Sequence, residues 1–235
     1  MATDPHAGTG DHPPDVDRDA AARGTIYGLL ARAFVEPTEE LHAAVADGTF
    51  AATVDDLLAA TSLDVDAPAF DTDDDHDHLS ARYNDLFVIG FSEVLDRTDG
   101  TIDSQGPDVP LYESAYREEV SWNDVNLDLA RAYEYFGLEV DTDDRDNHDH
   151  LRLQLEFAGY LCRREAAVDP EVAAARLDFH DRHLRVVTRG VVDALDEEPG
   201  TGFYGQLGTF LDRFTAADVA DLADRREQRE YGGDA

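Results

Sequence analysis

Lysine is missing from this 235-residue chain: all 19 basic residues are arginine, set against 53 aspartates and glutamates. Without lysine there can be no phosphate-cradling loop ending in a Lys-Ser/Thr pair. Nor is there a basic patch to neutralise a nucleic-acid backbone, so nucleic acid is excluded as a partner. The single cysteine, Cys162, lies in an apolar helical run. It rules out an intrachain disulfide framework, fits a reducing compartment, and reads as inert packing rather than a reactive thiol. No stretch approaches the roughly 18 apolar residues that span a bilayer, so no stable membrane association is expected. The first residues, rich in Asp and Pro, have neither the cationic nor the apolar region of a signal peptide, which points to a cytoplasmic protein. Period-two alternation of useful length is also missing, which argues against sheet.

What the chain has in excess is negative charge, formally -34. Such an imbalance ordinarily signals disorder, but 42% hydrophobic content in helical periodicity signals one sizeable core. The combination of aspartate and arginine with no lysine fits adaptation to a salt-saturated cytoplasm. At molar salt the screening length shrinks to about 3 Å, which mutes self-repulsion.

Residues 1 to 18 are expected to form a disordered acidic tail, and residues 19 to 230 one helical domain. Ala22, Ile26, Leu29 and Ala33 recur at helical spacing until Pro37. Thr38 can cap a second helix through Val45, and a short third covers Val54 to Ala60. The acidic run Asp71 to His78 precedes a helix bearing Leu79, Tyr83, Leu86 and Phe87, and its aspartates suit a helix N-terminus. Ile89 to Val109 reads as a long loop, of a length that is often functional. Val125, Leu129, Ala132 and Phe136 mark a helix ended by Gly137. A second acidic loop, Asp141 to Asp146, leads to a mostly buried helix from Asp149 to Ala166. Asp169-Pro170 starts a long helix to Leu195. Two terminal helices follow, one carrying Phe203, Leu207, Phe210 and Leu211, the other starting at Thr215 and ending in a solvated run from Arg225 to Glu230. The fold class expected is all-α, a single-domain helical bundle.

Three ordered blocks cross the middle of the chain: Tyr83-Asn84-Asp85-Leu86-Phe87, Pro110-Leu111-Tyr112-Glu113-Ser114-Ala115-Tyr116, and Asp149-His150-Leu151 running into Leu155-Glu156-Phe157. With the late Phe179 to Leu184 segment, they resemble the TorD/DmsD/NarJ family of cytoplasmic chaperones for molybdenum oxidoreductases, over residues 20 to 215. The family pattern reads Y-x-x-L-F, P-x-x-E-S-x-Y and D-H-L-x-x-x-L-E-F. Val186 and Val187 stand where a tryptophan often follows the late His-Leu pair. The resemblance implies a TorD-like, non-catalytic chaperone. It would bind a molybdopterin oxidoreductase catalytic subunit of the dimethyl sulfoxide, trimethylamine N-oxide or nitrate reductase type. It would hold the precursor and its twin-arginine leader until the cofactor is inserted. On that reading Tyr83, Leu86, Phe87, Pro110, Tyr112 and Tyr116 offer an apolar surface to the leader. Glu113 and Asp149 meet its guanidinium groups, with Ser114 and His150 beside them. A NarJ-like factor that ignores the leader is the alternative within the same fold. A monomer or a dimer swapped across a hinge at residues 89 to 109 is compatible with either.

The nine histidines raise a rival reading, a metal-dependent helical enzyme. His76 and His78 lie among aspartates, and His148 and His150 flank Asp149. Residues two apart diverge on a helix, however, and no H-E-x-x-H or cysteine frame accompanies them. Loop and capping roles explain them better. His180 and His183 stand on apolar helical faces and read as core-lining. Ser114 lacks the glycines of a nucleophile elbow. No catalytic residue, metal or cofactor is therefore assigned to the chain.

Overall fold

The computed structural model describes residues 16–96, 101–118, 120–140, 147–167, 169 and 171–232, with the backbone alone for 91–96, 101–105, 231 and 232. The first 15 residues of the acidic tail, the second acidic loop and Pro170 lie outside them. Nine α-helices run α1 (Arg18–Ala33), α2 (Glu39–Ala46), α3 (Thr49–Ala59), α4 (His76–Phe87), α5 (Trp122–Tyr135), α6 (Leu151–Ala167), α7 (Val172–Phe179), α8 (Arg185–Glu197) and α9 (Phe203–Gly232) among these residues. A 3-10 turn covers Glu113–Tyr116, and a π turn, His180–Leu184, joins α7 to α8. The fold class is all-α, as the sequence led us to expect.

Local chemistry sets several helix starts. Asp17 Oδ1 accepts from the Ala20 N–H at 3.2 Å, Thr38 Oγ1 from Leu41 at 3.2 Å, and Asp75 Oδ1 from His78 at 2.9 Å. Each side chain satisfies one of the donors that a helix start leaves open. Gly137, at φ 75°, follows α5 in the left-handed conformation that favours glycine.

Three elements depart from expectation. Residues 89 to 109 are not a loop throughout: β1 (Gly90–Asp96) and β2 (Thr101–Pro107) form an antiparallel hairpin pairing Ser92 with Ser104 and Val94 with Ile102. Register shifts interrupt the ladder at both ends of β1. The strands owe their order to each other, and that pairing leaves little period-two pattern in either one. The helix expected up to Leu195 runs on to Glu197 but widens into a π turn at His180–Leu184, where His180 and His183 are both buried. The two terminal helices are one: Thr215, instead of capping a new helix, donates its hydroxyl to the Leu211 carbonyl one turn back at 2.7 Å.

α1 lies against α6 at unusually close range. A Cβ on Gly24 would come within 3.0 Å of the Gly159 carbonyl, and one on Gly159 within 3.0 Å of the Gly24 carbonyl. Glycine at both positions is what lets the two backbones approach. An aromatic cluster fills the core beyond them. Phe87 packs on Phe34 (6.1 Å between centroids), Tyr83 (5.2 Å) and Tyr204 (5.2 Å). No helix among the described residues is long and apolar enough to cross a membrane.

Candidate functional site

The three sequence blocks, far apart along the chain, are stitched together by backbone hydrogen bonds. The Val109 N–H donates to the Leu86 carbonyl at 2.9 Å, tying the end of α4 to the start of the second block. Tyr112 and His150 form an isolated antiparallel bridge. Beside it the Glu113 N–H donates to the Asp149 carbonyl at 3.0 Å, and the Leu151 N–H to the Leu111 carbonyl at 2.7 Å. The 3-10 turn is held by Asp149, whose Oδ2 accepts from the Ser114 N–H at 3.1 Å. Tyr116 closes the block, donating its hydroxyl to the Pro110 carbonyl at 2.7 Å. Its ring rests on α8 at Gly190, where an added Cβ would fall 2.2 Å from Tyr116 Cγ.

The side chains divide into two groups. Tyr83, Leu86 and Phe87 are buried in the aromatic core and do not form the exposed apolar face expected of them. α4 turns them inward on the same face as the buried Leu79, and Phe34 and Tyr204 complete their packing. Pro110, Tyr112, Ser114 and Tyr116 are half-buried and form the accessible edge of the crossing. Tyr112 stacks edge-on against His150, which is itself buried, with centroids 4.9 Å apart.

Glu113 and Asp149 are fully buried, and neither points to solvent as a guanidinium receptor would. Glu113 is occupied from within. Arg117 donates to it from the next turn at 2.6 Å, the Gln154 amide at 2.8 Å, and His183 Nδ1 lies 3.2 Å from both its oxygens. His183 Nε2 reaches Asp128 on α5 at 3.2 Å, so one imidazole joins the second block to α5. Arg182 also pairs with Asp128. Arg117, Asp128 and Gln154 were not singled out by sequence reasoning. His183 was, as a core-lining residue on an apolar helical face, and it is buried as expected.

A second ionic network, also unforeseen, lies deeper. Asp218 on α9 is fully buried between Arg176 at 2.5 Å and Arg23 at 2.9 Å. Tyr27 donates its hydroxyl to Asp218 at 2.6 Å, and His180 Nε2 stands 3.3 Å away. Burial alone would raise the Asp218 carboxyl, but Arg176 and the bonds from His180 and Tyr27 hold it well below the usual carboxylate range. Arg176 also pairs with Glu165, and Arg23 with Asp19 at 2.5 Å and Asp221 at 2.6 Å. Arg225, expected in solvent, reaches Glu165 at 3.1 Å. The π turn thus supplies His180 to one network and His183 to the other.

The remaining histidines among the described residues have structural partners. His76 Nε2 lies 2.9 Å from the Pro37 carbonyl, His42 Nε2 2.9 Å from that of Asp74, and His78 Nδ1 2.7 Å from its own cap, Asp75. His148 stacks on Tyr133. Among the described residues no group of three His, Cys, Asp or Glu side chains is placed to hold a metal ion.

The sequence profile of the family described as nitrate reductase delta subunit matches residues 44–186, which span all three blocks and the π turn. The chain belongs to that family. This is the NarJ/TorD-like group of chaperones that the blocks resemble. Among relatives, the selenate reductase assembly chaperone protein of Thauera selenatis is 30% identical over 163 residues, covering 65% of this chain and 75% of the relative. The perchlorate reductase assembly chaperone protein of Dechloromonas aromatica is 25% identical over 207 residues, covering 86% and 90%. A putative redox enzyme maturation protein from Archaeoglobus fulgidus has a solved structure with a TM-score of 0.48 at 18% identity, over 83% of this chain and 91% of that one. Like its family, the chain is a chaperone and not an enzyme.

Proposed function

We propose that this chaperone binds the catalytic subunit of a molybdopterin oxidoreductase in the cytoplasm and holds it, leader included, until its cofactor is inserted. The stitched crossing of the three blocks carries this reading. Residues from three distant segments of the chain meet to build one half-exposed edge, Pro110, Tyr112, Ser114 and Tyr116. Such an edge, apolar and aromatic with hydroxyls at its rim, suits an extended peptide. Tyr83, Leu86 and Phe87 support it from the core, while Asp149 and His150 fix its backbone.

The burial and internal pairing of Glu113 favour a second form of the reading, in which the leader's arginines are not read here and the folded subunit is recognised without its leader. Co-purification of the chain with its reductase subunit, with and without the leader, separates the two. Binding that vanishes on leader deletion supports the first form, and binding that survives supports the second. Failure to retain the subunit in either state refutes the function.

A further inference from the structure

Four large apolar residues stand exposed on or beside α5: Val120 at 41%, Trp122 and Leu127 at 50%, and Tyr135 at 84%. α5 buries only its Val125, Leu129 and Tyr133 stripe. Its flank and the end of α7 with the π turn enclose two depressions of about 320 Å³ and 500 Å³. The first is lined by Ala132, Phe136, Phe157, Ala175 and Phe179. The second is lined by Val120, Val125, Leu127 and Val186. Both share Asp128, Arg131, Arg182 and His183, so they form one trough with a charged waist.

The charge at that waist is unusual for this chain. Arginines 117, 131 and 182 line the second depression against aspartates 124, 128 and 181, a locally balanced zone on a molecule of net charge -34. Arg131 is exposed and forms no ion pair among the described residues. Arg182 pairs with Asp128 and with Asp178, and both pairs are about half exposed, so they are weak and exchangeable. An acidic segment, repelled over the rest of the surface, meets near-balanced charge here, with the Arg131 and Arg182 guanidinium groups between two apolar seats.

We propose that the trough seats a segment of the client catalytic subunit in which a carboxylate lies between apolar side chains. The apolar groups fill the two depressions, and the carboxylate is taken by Arg131 and Arg182. The inference rests on the chaperone reading for the origin of the segment. It assigns to α5 a ligand of charge opposite to a twin-arginine leader. A second copy of the chain is the less fitting occupant, because each copy brings the same large negative charge.

The test uses the full chain and two labelled peptides of about a dozen residues, long enough to bridge both seats. Both peptides have leucines flanking one central residue, which is glutamate in one and arginine in the other. Anisotropy is read in about 1 M potassium chloride, where screening to about 3 Å leaves contacts rather than net charge to decide. Trp122, the single tryptophan, gives a label-free signal from the same helix. The glutamate peptide should bind about fivefold tighter, the size of one partly exposed charge pair. Arg131→Glu should reverse the order, and Leu127→Asp should weaken both peptides.

Equal or tighter binding of the arginine peptide, or indifference to Arg131→Glu, overturns the proposal. So does a concentration-dependent dimer, seen by sedimentation, that Leu127→Asp abolishes, since the trough would then belong to a second copy. If neither peptide binds while the reductase subunit is still retained, the trough assignment fails and the chaperone reading stands. If the subunit is lost as well, both fail.

Discussion

Asp218→Asn tests the deepest feature of the fold. The carboxylate is fully buried, and two buried arginines, Arg23 and Arg176, share it with the Tyr27 hydroxyl. An asparagine of the same size keeps one acceptor but turns an amide donor toward guanidinium donors. Breaking a buried, hydrogen-bonded ion pair from one side costs about 3–5 kcal/mol. Arg176 keeps Glu165, and Arg23 keeps Asp19 and Asp221, so the lower end, about 3 kcal/mol, is expected. That is a large share of the roughly 5–15 kcal/mol that holds a domain together. Urea unfolding followed by circular dichroism at neutral pH measures it, and added salt should change the difference little because the pairs are buried.

The same variant carries a pH signature. The Asp218 carboxyl sits well below its ordinary 3.8 in the folded state, so the unfolded chain binds the proton more readily. Its contribution is therefore complete above pH 3.8 and drains as the pH falls through the folded value. The gap between the parent chain and Asp218→Asn should narrow in acid. A loss under about 1 kcal/mol at neutral pH, or a gap that widens on acidification, refutes this account of the core.

Further outcomes are expected at the crossing and beside it. Gly190→Ala drives a Cβ into the Tyr116 ring, displacing the second block at a cost of about 1–3 kcal/mol in urea unfolding, with weakened client retention. Glu113→Gln removes the anion shared by Arg117 and His183 and should cost about 2 kcal/mol, since charged hydrogen bonds are worth roughly 1.5–3. Nitrogen-15 spectra of the His183 ring should shift in the same variant, which a loss of packing elsewhere would not produce. Burial pushes the Cys162 thiol up to about 12, so it should react with a disulfide reagent only at the rate of unfolding; rapid modification of the folded chain would contradict its placement.

What was legible in the sequence was local. Thr38 and Asp75 announce their helices because a cap is a bond between a side chain and a backbone group two or three residues away, whereas Asp17, which caps α1, falls within the expected tail. The three blocks gave the family because their order and spacing survive in one dimension. The hairpin was less legible, because its register is irregular and neither strand carries a sustained period-two pattern.

The sequence by itself determined the helical class, the lack of cysteine for an intrachain disulfide and of lysine for a phosphate loop, and some of the helix starts, because each depends on composition or on neighbours along the chain. The tertiary structure decided which residues of the blocks face outward. α4 presents Tyr83 and Phe87 to the core only because α1 and α9 bring Phe34 and Tyr204 to meet them. It decided that Glu113 is spent on His183, 70 residues away, and that Arg23 and Asp218, 195 apart, share one site. Ion pairs of that span leave no periodic trace, since each partner alone looks like one more charge on a chain that is mostly charge at its surface.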